Sequence, residues 1–87
     1  MSSTSQKHAA FIQGPLGLKP VTASPGIGPV IGQKMTEAGF GSASQVLGQY
    51  LIDPPGFKGW VQGFGANAGQ QTACFNAFDA WCKNFVY

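Results

Sequence analysis

The sequence contains no arginine and only three acidic residues, Glu37, Asp53 and Asp79, in 87 positions. With five lysines the formal net charge is +2, a balance too weak to point by itself to a nucleic acid, a membrane surface or an acidic substrate. The single histidine, His8, forms no recognisable metal-ligand spacing with Cys74, Cys82 or any carboxylate, so no metal and no cofactor is expected. The three carboxylates fall in separate segments and offer no pair for acid–base work. A Cys–His nucleophile pair is formally available, but both thiols lie on or beside an apolar stripe, where burial suppresses thiolate formation. These shortages predict a protein that is not an enzyme.

Long apolar runs are missing too. No stretch approaches the roughly twenty residues of a membrane span, and "MSSTSQKHAA" at the start lacks the apolar centre of a signal peptide. The expected location is therefore the cytosolic and nuclear side, without direct membrane insertion. Cys74 and Cys82 are eight residues apart in one helical segment, hence about 12 Å apart along its axis. A bridge within the chain requires Cα atoms within about 7 Å, so the cysteines read as reduced core thiols, with an intermolecular disulfide as the alternative.

Aromatic residues are abundant: seven Phe, two Trp and two Tyr argue for a folded chain rather than a disordered one. Eighty-seven residues fit one small domain, residues 1–87, near the lower limit for a self-sufficient core; a core shared by two chains would improve burial. Apolar spacing is helical and no strand-period run or internal repeat is present, so the fold class is all-α. Ser3, Thr4 and Ser5 are candidate caps for a first helix that ends at Gly14-Pro15. One helical turn is expected around Val21–Ala23, and a helix from Pro29 to a left-handed cap at Gly39. Ser42 with Gln45 and Asn67 with Gln70 have capping-box spacing for two more helices. Between them, "FKGWVQGFG" supports at most a short helix presenting Phe57, Trp60, Val61 and Phe64. The last helix carries a stripe of Cys74, Phe78, Trp81 and Phe85, flanked by Phe75 and Cys82.

"SPGIGPVIGQKM", residues 24–35, is the most informative stretch. A Gly-Ile-Gly turn leading into Pro29 leaves backbone N–H groups unpaired at the positive end of a helix dipole, an arrangement that can hold a phosphate. It is not a P-loop, since Gln33 separates Gly32 from Lys34 and Met35 occupies the hydroxyl position. Nor is it a dinucleotide fingerprint, which would need glycine where Ile31 stands. A helix, glycine turn, helix element with a lysine one to two turns in suits a nucleic-acid backbone; an ordinary packing turn is the alternative. Lys7 and Lys34, each a plain surface lysine if taken alone, would complete a phosphate clamp with the Gly26–Gly28 amides if the first helix lies beside the turn.

Seven stretches carry a resemblance: "TSQKH" at 4–8, "KPV" at 19–21, "GIGPVIGQKM" at 26–35, "AGF" at 38–40, "VLGQYL" at 46–51, "GAN" at 65–67 and "CFNAFDAWCKNF" at 74–85. From end to end the chain resembles the barrier-to-autointegration factor family. The resemblance implies an all-helical homodimer with one helix-hairpin-helix element per protomer, which binds and bridges double-stranded DNA without sequence preference. It also implies action in chromatin organisation and nuclear envelope assembly, with LEM-domain proteins of the inner nuclear membrane and lamins as partners. The location it implies is the nucleus, its envelope and chromatin, and also the cytoplasm. By matching position, DNA would be held by Gln6, Lys7, Gly26, Ile27, Gly28, Val30, Ile31, Lys34 and Ala68. The dimer and partner surface would include Gly48, Tyr50, Leu51 and Ile52, and the phosphorylation sites would be Ser3, Thr4 and Ser5, where added negative charge beside Lys7 would repel DNA. This chain departs from the family in its lack of arginine, in Gly69 and Thr72 where basic residues are usual, and in a shorter loop at "IDPPGFKGW". It reads as a charge-depleted member. The alternative is a protein-interaction or dimerisation module of the same fold that has lost its DNA affinity.

Overall fold

The computed structural model describes residues 3–17 and 19–86, with side chains from Gln6 onward. Five α-helices follow in order: α1 Ser3–Ile12, α2 Pro29–Glu37, α3 Ala43–Ile52, α4 Phe57–Gln62 and α5 Ala68–Phe85. Short 3-10 turns at Val21–Ala23 and Pro54–Gly56 precede α2 and α4, and no strand occurs among the described residues. Helix α1 already includes Ser3, Thr4 and Ser5, so these form its first turn and do not precede it, and Lys7 lies in its second turn.

The helix ends follow local chemistry. Pro29 opens α2 at its first position, where a missing N–H costs nothing. At the other end Gly39 has φ +95°, Phe40 N–H donates to Met35 O at 2.7 Å and Gly39 N–H to Thr36 O at 3.0 Å. That bond pair is a Schellman closure, which a left-handed residue after the helix makes possible. Ser42 and Gln45 form the reciprocal capping box of α3, and Asn67 and Gln70 that of α5, with the two Asn67–Gln70 bonds both 2.8 Å. The 3-10 turn is tied to the start of α3 by Val21 N–H to Gly41 O and Ala43 N–H to Lys19 O, each 3.0 Å.

Every helix contributes to one core. Phe11 of α1, Met35 of α2, Val46 of α3, Phe57 of α4 and Phe78 of α5 are all fully or almost fully buried. Phe78 is the hub: its ring meets Phe11 edge-on at 5.0 Å and Phe57 at 5.6 Å. Burying side chains of this size stabilises a fold by about 1.5–3 kcal/mol each, and edge contacts between rings add a further fraction.

The apolar face of α5 differs from the expected stripe. Cys74, Ala77, Phe78 and Cys82 face inward, whereas Trp81 is half-buried and Phe85 is 47% exposed. The C-terminal turn of α5 packs beside the end of α1, where Trp81 Nε1–H donates to Gly14 O at 3.0 Å and Asn84 Nδ2–H to Ile12 O at 3.1 Å. The indole therefore satisfies its N–H at the rim instead of filling the core. Both cysteines are buried thiols, as expected from their spacing. Tyr50 is also placed differently from its expected surface position. It is 2% exposed, its ring lies against Phe57, Phe75 and Phe78, and its hydroxyl donates to Asp79 Oδ1 at 3.1 Å. Lys83, bonded to Asp79 Oδ2 at 3.0 Å, and the Tyr50 hydroxyl together hold the Asp79 carboxyl below its ordinary range.

Candidate functional site

The glycine turn is built as a tight reversal between the 3-10 turn and α2. Ile27 N–H closes it on Ser24 O at 3.1 Å, Pro25 occupies the second place and Gly26, at φ +83°, the third. Proline followed by a glycine of positive φ is the residue pattern of a type II turn. Gly26 is needed for a second reason: a Cβ there would collide with the Gln70 carbonyl oxygen and lie 3.2 Å from Cys74 N. The turn is thus seated directly on the first turns of α5, and Ile27 is driven into the core at 1% exposure.

This seating leaves a row of donors outside. Gly28 caps α2 without a side-chain bond, and the first intrahelical donor of α2 is Gly32, which bonds Gly28 O at 2.8 Å. The amides of Gly26, Gly28, Val30 and Ile31 have no acceptor within the described chain. Helix dipoles place partial positive charge at such ends. A cleft of about 630 Å³ opens at the first two of these amides, lined by Gln6, Lys7, Pro25, Gly26, Ile27, Gly28 and Gln70. No carboxylate is in that lining.

Three elements meet at this cleft. Helix α1 supplies Gln6 and Lys7, and Lys7 Nζ donates to Ile27 O at 3.4 Å, which ties α1 to the turn. Helix α5 supplies Gln70, whose own N–H and side-chain oxygen are used by its capping box. Ala68, exposed two residues before Gln70, is the first residue of α5, and its amide has no acceptor in the described chain. On the other flank, Lys34 Nζ lies 3.5 Å from the point that a Cβ on Gly65 would occupy, which sets it against the loop leading into α5. Among the described residues the Lys34 ammonium makes no hydrogen bond or ion pair. The other lysines are engaged elsewhere: Lys19 on Ala10 O and the Phe11 ring, Lys58 over Phe75, Lys83 on Asp79.

The arrangement can bind an anion. Burial pushes the Cys74 thiol up to about 12, against an opposing pull from the nearby Lys7 charge, so it stays protonated at neutral pH. No group of three or more His, Cys, Asp or Glu side chains that could hold a metal ion is found among the described residues. Among the same residues no helix is long and apolar enough to cross a membrane.

The profile of the barrier to autointegration factor family matches residues 2–85. The chain belongs to the barrier-to-autointegration factor family. A barrier-to-autointegration factor from Danio rerio is 44% identical over 90 residues, covering 99% of this chain and 100% of the relative. The Homo sapiens protein of that name is 44% identical over 88 residues, covering 97% and 99% of the two chains. The Drosophila melanogaster protein is 42% identical over 90 residues, covering 99% and 100%.

Of the residues that the sequence resemblance implies for DNA, Gln6, Lys7, Gly26, Ile27 and Gly28 line this cleft. Val30 and Ile31 contribute their amides at the adjoining helix end, while Lys34 and Ala68 stand on its flanks. Pro25 and Gln70 also line the cleft and were not expected there. Gln70 was legible only as a cap, and Pro25 carries its signal in the Pro-Gly pair of the turn. On the opposite assignment, Gly48 and Leu51 are exposed and Ile52 is 78% exposed, apart from the buried Tyr50. Ser3, Thr4 and Ser5 have side chains outside the described residues.

Proposed function

We propose that this protein binds the phosphate backbone of double-stranded DNA, without reading sequence, through the glycine turn and the helix ends around it. One observation carries the reading: Gly26 and Gly28 with their acceptor-less amides, Lys7 of α1 and Gln70 of α5 line one cleft without a carboxylate, and the open amides of Val30 and Ile31 adjoin it at the start of α2. Phosphate contacts position a protein on a duplex but carry no sequence information. The turn with α2 then acts as a helix-hairpin-helix element. Leu51 and Ile52, exposed at the end of α3, support a homodimer that presents two such sites and bridges two duplexes. Family membership extends the reading to chromatin organisation and nuclear envelope assembly in the nucleus, with LEM-domain proteins and lamins as partners, and to a binding rather than an enzymatic role. The whole chain, residues 1–87, acts as one domain.

A second reading keeps the fold and the dimer but drops the DNA. Gly69 and Thr72, uncharged on the N-terminal half of α5, favour it, since they leave only Lys7 and Lys34 as cations beside the amides. The two readings separate in a fluorescence anisotropy titration with a short blunt duplex across a salt series, run beside a Lys7→Glu, Lys34→Glu double mutant. Two lysine contacts predict a slope of log K against log salt of about −2. Saturable binding with that slope, abolished in the double mutant, supports the DNA reading. No binding at low salt supports the protein-interaction module, and a slope steeper than about −4 places the contact elsewhere.

A further inference from the structure

Among the described residues, large apolar side chains that the fold leaves in water are few: Val30, Leu51, Ile52, Phe85 and Val86. Four of them sit at the ends of α3 and α5, whereas Val30, 69% exposed, stands at the second position of α2 among the open amides. The first turn of α2 divides sharply. Ile31 and Gly32 face inward, Gly32 against the Thr22 methyl group, and Pro29 and Val30 face out. The outward side chains of that turn, Pro29 and Val30, are therefore carbon only, and the nearest exposed polar side chains of α2, Gln33 and Lys34, belong to the next turn.

Resting on the DNA-backbone reading, we propose that Val30 selects the sugar: with phosphates held on the amides beside it, its isopropyl group packs on the intervening deoxyribose and disfavours ribose. Along a nucleic-acid strand each phosphate is followed by a sugar, so a side chain beside a phosphate-binding amide is carried onto that sugar. A deoxyribose offers methylene at the 2′ position and loses nothing on meeting carbon. A ribose offers a hydroxyl, which gives up its hydrogen bond to water and finds no partner on Pro29 or Val30. The 2′-hydroxyl is the group by which a protein tells RNA from DNA at a given site. Val30 is also dispensable to the fold, since it is mostly solvated, so its effect on binding is separable from stability.

The test is anisotropy competition with a labelled DNA duplex against unlabelled duplexes of one sequence: all-DNA, ribose-substituted in one strand, and 2′-fluoro-substituted in that strand. The wild-type protein is expected to prefer DNA over the ribose form by about fivefold. The 2′-fluoro duplex, which has an RNA-like sugar pucker but no hydroxyl donor, is expected to compete like DNA. Val30→Thr, which changes a methyl group to a hydroxyl at constant shape, is expected to narrow the preference to about twofold or less. An unchanged preference in Val30→Thr, or a 2′-fluoro duplex that competes like the ribose form, overturns the sugar assignment and leaves the DNA reading standing. Absence of DNA binding in the wild-type protein overturns both.

Discussion

A methyl group added at Gly26 tests how the turn is seated on α5. The site depends on Gly26 twice, through its φ of +83° and through the space its missing side chain leaves for the Gln70 carbonyl. An L-residue in the left-handed region costs about 1–2 kcal/mol. The collision adds to this, because both neighbours, Gln70 O and Cys74 N, are backbone atoms of a helix and cannot rotate away. Overpacking of that kind costs about 1–3 kcal/mol. Loss of unfolded-chain entropy on Gly→Ala returns about 0.4–1 kcal/mol. Gly26→Ala should therefore destabilise the fold by about 2–4 kcal/mol, lowering Tm by at least about 8 °C in a chain of this size. Gly28→Ala is the matched control: nothing lies within 4 Å of its Cβ position and its φ is −90°, so the cost is that of a poorer N-cap, about 1 kcal/mol or less. Urea unfolding followed by circular dichroism compares the two. A Gly26→Ala variant as stable as Gly28→Ala would refute the seating of the turn on α5, and with it the shape of the cleft.

The remaining predictions concern the thiols. In the native protein Cys74 and Cys82 should resist a thiol-labelling reagent at pH 8 and react fully once urea unfolds the chain; rapid native labelling of either would restore a reactive-cysteine role. Because burial raises the folded pKa of Cys74 to about 12 from an ordinary 9.0, its contribution to stability is intact below pH about 9 and is lost as pH rises toward about 12. In that window the unfolded chain releases a proton that the folded chain keeps, so stability falls by up to about 1.4 kcal/mol per pH unit. Unfolding free energies measured between pH 9 and 11 should show this slope, and Cys74→Ala should flatten it.

Much of the fold was legible because its helix ends are written in local chemistry. Pro29, Gly39, Ser42 with Gln45 and Asn67 with Gln70 each act on atoms a few residues away, and each does in the structure what its spacing predicts. The face of α5 was less legible, since spacing alone does not say where a partner helix ends. Trp81 and Phe85 continue the apolar stripe, yet they reach the rim where α1 has stopped at Ile12. Tyr50 illustrates the same limit: it shares a motif with the exposed Leu51 and Ile52, but only the tertiary fold brings Phe57, Phe75, Phe78 and Asp79 around it. The cleft combines both cases. Its glycine turn was recognisable from residues 24–35, whereas the approach of Lys7 to Ile27 and of Gln70 to Gly26 spans long stretches of chain and leaves no local signal.

Backbone amides are the centre of this account, and nitrogen-resolved NMR of the whole protein observes them directly. On titration with a short DNA duplex, the amide signals of Gly26, Gly28, Val30 and Ile31 should move together and saturably, with those of Lys7 and Ala68 following. Shifts confined to the end of α3 around Leu51 and Ile52, with the turn unmoved, would contradict it.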